Sequence, residues 1–144
     1  RWHEMQYYMF IHFGVNSFTN LEWGEGAENP KIFNPTNLDT RQWARIAKKA
    51  GMKAIILTVK HHDGFCLWPT PNQHKVNWNS GDIGPQRDLL GELTTSVRNA
   101  GLKMGLYYSI PDWESIPRKA DGSEYYIRKE FVDKYGLSLD CITL

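Results

Sequence analysis

The sequence predicts an α/β fold in which parallel strands alternate with helices, and three observations carry that reading. Short apolar runs stand at Tyr7 to Val15, Ala54 to Val59 and Lys103 to Ser109. An amphipathic segment separates each run from the next, at Asp39 to Ala50 and at Asp88 to Ala100. The chain also repeats its own exits: Ala50-Gly51-Met52-Lys53 and Ala100-Gly101-Leu102-Lys103 both run from helix through glycine into strand. Repeated helix-to-strand units of this length imply parallel strands joined by right-handed crossovers.

The first run, Tyr-Tyr-Met-Phe-Ile-His-Phe-Gly-Val, is short and bulky, which predicts a strand buried on both faces. Residues 16 to 38 are rich in Asn, Gly, Pro and Glu and predict a long loop. In the first helix Trp43, Ile46, Ala47 and Ala50 are expected on one face. Asp39 can cap its start with Gln42 three residues on, Lys48 and Lys49 suit its last turn, and Gly51 ends it. The second strand is Ala-Ile-Ile-Leu-Thr-Val, followed by a polar loop with Pro69 and Pro71. In the second helix Leu89, Leu90, Leu93, Val97 and Ala100 face inward, Asp88 is a cap, and Gly101 closes it. Ile55, Leu57, Met104 and Leu106 are expected to point to the inside of the sheet's curve. Beyond Trp113 the pattern weakens; Tyr125 to Tyr135 could form a third helix and Leu137 to Leu144 a fourth strand.

A length of 144 residues with 41% hydrophobic and 23% charged residues fits one ordinary globular unit, without a linker to a second. A net charge of +1 argues against nucleic acid as partner, and no apolar run approaches the roughly 20 residues that cross a bilayer. The opening Arg1-Trp2-His3 carries neither initiator Met nor leader pattern, as in a mature or cut product. Cys66 and Cys141 read as small apolar residues rather than a disulfide framework.

Ligands of parallel α/β sheets bind where the strands end at their carboxyl sides. Strand one ends in His12-Phe13-Gly14, strand two in Lys60-His61-His62-Asp63-Gly64-Phe65, and strand three in Tyr107-Tyr108-Ser109. Three of five histidines therefore meet on one rim. A barrel hydrolase using His12, His61 and His62 on a metal is one reading. Neighbouring strand residues point to opposite faces, however, so His61 and His62 would chelate one ion poorly. Imidazoles that donate and accept hydrogen bonds suit hydroxyl-rich ligands better. Glu22-Trp23, in the loop after strand one, could add a carboxylate and a ring for the same purpose. Asp63, before Gly64, reads as an Asx-type turn residue, and Arg87 as a surface or loop-bridging one.

These residues together resemble a family. Phe10-Ile11-His12-Phe13-Gly14, Glu22-Trp23, Lys60 to Phe65, Trp68, Gly84-Pro85-Gln86-Arg87-Asp88-Leu89-Leu90-Gly91-Glu92-Leu93 and Gly101 to Ser109 follow, in order, the pattern of α-L-fucosidases of glycoside hydrolase family 29. The match runs from about residue 2 to residue 113. It implies a partial (β/α)8 TIM-like barrel, with residues 1-144 as the N-terminal portion of the catalytic domain supplying the first three to four βα units. It implies a retaining enzyme that removes terminal α-L-fucose from glycoconjugates; no cofactor and no metal are expected. His12, Glu22, Trp23, His61 and His62 match its fucose-binding positions, with one of two tyrosines, Tyr107 favoured over Tyr108. Phe13 stands where many members have Trp, which leaves subtype and linkage open.

The retaining mechanism needs a nucleophile and an acid/base carboxyl about 5 Å apart. The family's Trp-x-Asp-Gly nucleophile context is missing, and Asp140 in Ser-Leu-Asp-Cys does not match it. Both catalytic groups are expected beyond Leu144, and residues 113-144 depart from the family pattern. A non-catalytic fucose-binding remnant is the alternative reading. The resemblance further implies a lysosomal, periplasmic or secreted setting, and a fucosylated glycan as partner.

Overall fold

A computed structural model of the chain describes residues 3–24, 26–70 and 77–109. Within them lies a three-stranded parallel sheet in the order β1 (Met9–Ile11), β2 (Ala54–Lys60), β3 (Lys103–Tyr108). Helices α2 (Thr40–Lys49) and α3 (Leu89–Asn99) form the two crossovers, and a short helix α1 (Asn16–Thr19) follows β1. This is a small parallel α/β sheet; a closed barrel is not visible in it. The possible helix at Tyr125 to Tyr135 and strand at Leu137 to Leu144 lie outside the described residues, as do Asp140 and Cys141.

The two crossovers end alike, as the repeated sequence predicts. Gly51 and Gly101 adopt φ of +79° and +70°, a region a side chain resists. In each case the glycine amide and the next one turn back into the helix. Gly51 N–H donates to Lys48 O and Met52 N–H to Ala47 O, each at 3.0 Å. Gly101 N–H donates to Arg98 O at 2.9 Å and Leu102 N–H to Val97 O at 3.0 Å. These paired bonds satisfy carbonyls that a helix end otherwise orphans, and they launch Lys53 and Lys103 into neighbouring strands, where Lys103 N–H donates to Lys53 O at 3.0 Å. Both helices are capped at their starts as predicted. Asp39 accepts from the Arg41 amide at 2.9 Å and Asp88 from the Gly91 amide at 2.8 Å.

The register decides which residues share a face. Met9, Ile55 and Met104 align, then Phe10, Ile56 and Gly105, then Ile11, Leu57 and Leu106. Ile55 and Leu57 are fully buried in one cluster with Ala44, Ala47, Leu93 and Val97. They therefore face the helices. The expectation that Ile55, Leu57, Met104 and Leu106 line the inside of the curve is reversed: the opposite face carries Phe10, Ile56, Thr58 and Tyr107. The apolar run of β2 is buried on both faces, so its side-chain alternation could not say which face meets helices.

Three other expectations change. Only Met9–Ile11 of the first run is strand, and Phe10 is 43% exposed, because among the described residues β1 pairs with β2 alone. On α2 the buried stripe is Thr40, Ala44 and Ala47 with Trp43 beside it, while Ile46 is exposed and lies off that stripe. A polar contact binds the helices: the buried Thr40 and Ser96 hydroxyls are 2.9 Å apart. The stretch from 16 to 38 is not simple loop. It holds α1, a 3-10 turn at Pro30–Ile32, and Phe33, which is fully buried against Phe13, Phe18 and Phe65. The later loop likewise sends Phe65, Cys66, Leu67 and Trp78 into the interior. Of the two roles open to Arg87, surface or loop-bridging, the structure has the bridge: its guanidinium pairs with Glu92 and donates to Leu38 O at 3.2 Å.

Candidate active site

The carboxyl ends of the three strands deliver the predicted residues to one rim. His12 leaves β1, His61 and His62 follow β2, and Tyr107 stands one residue before the end of β3. Their rings form a continuous arc. Phe10 stacks on His12 at 4.9 Å between centroids, and His12 meets His61 edge-on at 5.7 Å. His61 meets His62 at 4.5 Å, and His62 meets Trp23 at 5.6 Å. Tyr107 lies against both His12, at 6.3 Å, and His61, at 6.1 Å. Tyr108 turns elsewhere, to Trp68 at 6.3 Å, with the Lys60 ammonium 4.6 Å above its ring.

The closeness of His61 and His62 departs from the strand rule, which sends neighbours to opposite faces. β2 ends at Lys60, so the pair belongs to a turn instead. The Gly64 amide donates to His61 O at 3.0 Å, and Gly64 takes φ +79°. The Asp63 carboxylate accepts from the Phe65 amide at 2.7 Å, the Asx-type turn expected of it. Its carbonyl accepts from buried Trp78 Nε1 at 2.8 Å, which anchors the turn in the core. Burial pushes the Asp63 carboxyl above its usual range; the Phe65 bond opposes this, and the charge of Glu28 adds to it. Among the described residues no three His, Cys, Asp or Glu side chains are grouped to hold a metal.

A cleft of about 400 Å³ opens beside the arc. His12, Glu22 and His61 line it, together with Asn16, Thr58 and Asp63. Glu22 and Trp23 stand exposed on the loop after α1, and the cleft joins two carboxyl side chains, Glu22 and Asp63, to an edge of imidazoles. Burial, then the charges of His62 and His12, hold His61 well below the usual histidine range, at about 4. A neutral His61 both donates and accepts, and its Nδ1 is buried without a hydrogen-bond partner among the described residues. Imidazoles and carboxyl groups in such a cleft can take hydroxyls, and ring faces beside them can cover C–H surfaces.

Sequence reasoning missed three contributors. Thr58 Oγ1 bonds the backbone on either side of His12. Ser109 Oγ lies 2.7 Å from His62 Nδ1. Asn16, read as loop, starts α1 and lines the cleft. Thr58 and Ser109 had a signal in their places at or beside the ends of strands two and three; Asn16 had none.

The model of the family described as alpha-L-fucosidase matches residues 27–135, more than half of the chain. The chain belongs to the alpha-L-fucosidase family. It is 42% identical to Alpha-L-fucosidase 1 of Arabidopsis thaliana, over 89% of this chain and 26% of that one. It is 36% identical to Tissue alpha-L-fucosidase of Homo sapiens, over 76% of this chain and 29% of that one. Among solved structures it resembles a glycoside hydrolase 29 family member from an unknown rumen bacterium. There the TM-score is 0.72 and the identity 43%, covering 78% of this chain and 20% of that one. It also resembles Thermotoga maritima alpha-fucosidase in complex with a mechanism based inhibitor, with TM-score 0.69 and 33% identity, over 78% of this chain and 35% of that one. The chain thus spans about a quarter of the length of the curated fucosidases it matches. Among the described residues no helix is long and apolar enough to cross a membrane.

Proposed function

We propose that the chain supplies the sugar-gripping half of the active site of a retaining α-L-fucosidase, a hydrolase acting on fucosylated glycans. The parent fold is a (β/α)8 barrel, and residues 1-144 hold its first three to four βα units. His12, Glu22, Trp23, His61, His62 and Tyr107 contact the fucose. A lysosomal, periplasmic or secreted setting goes with this reading.

The observation that carries it is His61 Nδ1, a buried polar atom with no hydrogen-bond partner among the described residues, in a side chain that lines the cleft. Buried polar atoms rarely stay unsatisfied, and a bound hydroxyl would supply the partner. Glu22, across the same lining, accepts from a second hydroxyl, and Trp23 beside His62 covers an apolar sugar face. The neutral state of His61 lets it serve as donor or acceptor down to acidic pH.

Hydrolysis with retention takes two carboxyl groups about 5 Å apart, one attacking the anomeric carbon and one first giving and then recovering a proton. In this reading both come from chain beyond Leu144. The residues described here bind and orient the sugar so that those groups meet it in line. The test is to incubate a full-length protein carrying this segment with an aryl α-L-fucoside and follow the first sugar released by NMR. Release of α-L-fucose as the first anomer supports the proposal; no turnover, or the β anomer first, contradicts it.

A further inference from the structure

We propose that Asn16 is a further sugar-binding residue of the cleft, offering its side-chain amide to a hydroxyl of the ligand. The proposal rests on the fucose-binding reading above, and the experiment below separates the two.

Asn16 opens α1 and lines the same cleft as His12, Glu22 and His61. Its Oδ1 is buried with no hydrogen-bond partner among the described residues. His61 Nδ1 is in the same condition, so two unsatisfied polar atoms belong to residues that wall one cleft. Buried polar atoms rarely stay in that state. The neighbour of Asn16 Oδ1 on its buried side brings no relief. The spot where a Cβ on Gly24 would stand is 2.3 Å from Asn16 Oδ1 and 2.5 Å from Glu28 Oε1. A carboxylate is a second acceptor there, and two acceptors do not bond each other.

The ordinary tasks of an asparagine in a short helical turn are done by other residues. The start of α1 is Val15, with no side-chain cap bond. The Gly14 amide donates to Ser17 Oγ at 3.3 Å. At the other end the left-handed C-cap is Asn20, with φ of +58°. Asn16 gives the turn its backbone carbonyl, which accepts from Thr19 Oγ1 at 3.3 Å. Its side-chain oxygen has no such duty. An asparagine side chain has two rotatable bonds and can turn from Glu28 toward the cleft. There the amide presents one acceptor oxygen and two donor hydrogens. Glu22, when ionised, only accepts, so the amide adds donors to the same lining.

The experiment compares wild type and Asn16→Ala in a full-length protein carrying the segment. Values of kcat/KM are measured on an aryl α-L-fucoside and on the analogues that each lack one ring hydroxyl, with thermal melts to check folding. Asn16→Ala is expected to lose about tenfold on the parent fucoside, mostly in KM. On one analogue it should lose less than about twofold, because the hydroxyl that Asn16 binds is already gone. A purely structural role would cut every substrate alike. If Asn16→Ala does not fold, Asn16→Ser, which suits a helix start and lacks the amide, is read the same way. Equal losses on all the substrates, or no loss on the parent, overturn the proposal. A wild type that cleaves the fucoside while the losses are equal removes Asn16 alone. A wild type that neither binds nor cleaves it removes the fucosidase reading, and this proposal with it.

Discussion

The Thr58 hydroxyl holds the backbone on both sides of His12, accepting the Phe13 amide at 3.3 Å and donating to the Ile11 carbonyl at 3.2 Å. The side chain of one strand thus continues the ladder where β1 ends and the cleft begins. Thr58→Val removes both bonds while keeping the shape. A net loss of about 1–2 kcal/mol of stability is expected from denaturant melts of the full-length protein. Affinity for L-fucose should fall with it, and Thr58→Ser should recover affinity. A valine variant with unchanged melting and affinity would show that His12 is held by other means.

His61 sets a pH dependence. Its folded pKa is about 4 against an ordinary 6.5. Between these values the unfolded chain binds more protons than the folded one, so stability rises with pH. The contribution is fully present above about 6.5 and is lost progressively as pH falls toward about 4. An NMR titration of His61 should find it neutral at pH 5. A midpoint near 6.5 would remove the burial argument.

In the full-length protein, His61→Ala and His62→Ala should each lower kcat/KM by about 1–3 kcal/mol, because a buried sugar hydroxyl loses its partner. Chelator and added zinc should change nothing. Activity that zinc restores to either variant would favour a metal role instead.

Phe33 underlies the cleft. It is fully buried and touches Phe13, Phe18 and Phe65 in edge-on or tilted pairs. Phe33→Ala should cost about 3–5 kcal/mol of stability and loosen Phe13 on the cleft wall. Thermal melts and substrate KM test both effects. A loss below about 1 kcal/mol would mean that the aromatic cluster refills the space.

Much of this architecture is legible in the sequence because the signals are local. Asp39, Asp88, Gly51 and Gly101 mark helix ends by capping chemistry that depends on a few neighbouring residues. His12, His61, His62 and Tyr107 were findable because strand ends in parallel sheets gather on one rim. What escaped the sequence depends on distant partners. Ser96 is buried because Thr40 bonds it from another helix. Phe33 sits in a segment rich in Asn and Gly, whose composition hides a core residue. Thr58 is one residue in an apolar strand, and only the register beside Ile11 and Phe13 gives its hydroxyl a task. The face of Ile55 and Leu57 could not be read from a run apolar on both sides.

Exposed apolar side chains mark the sheet edges: Leu106 at 57%, Tyr108 at 52% and Phe10 at 43%. Among the described residues β1 and β3 each pair only with β2. Unpaired apolar edges invite association. Residues 1–144 expressed alone should therefore self-associate on size exclusion and show no turnover of an aryl α-L-fucoside. A monomer with a sharp cooperative melt would show that this segment stands by itself.

The central claim is that the cleft beside His12, Glu22 and His61 binds fucose. Calorimetric titration of a full-length protein carrying this segment with L-fucose, in wild type and His61→Ala, tests it most directly. Saturable one-to-one binding by wild type, weakened about tenfold or more in the variant, is the predicted result. Equal binding by both proteins, or no binding by the wild type, would contradict it.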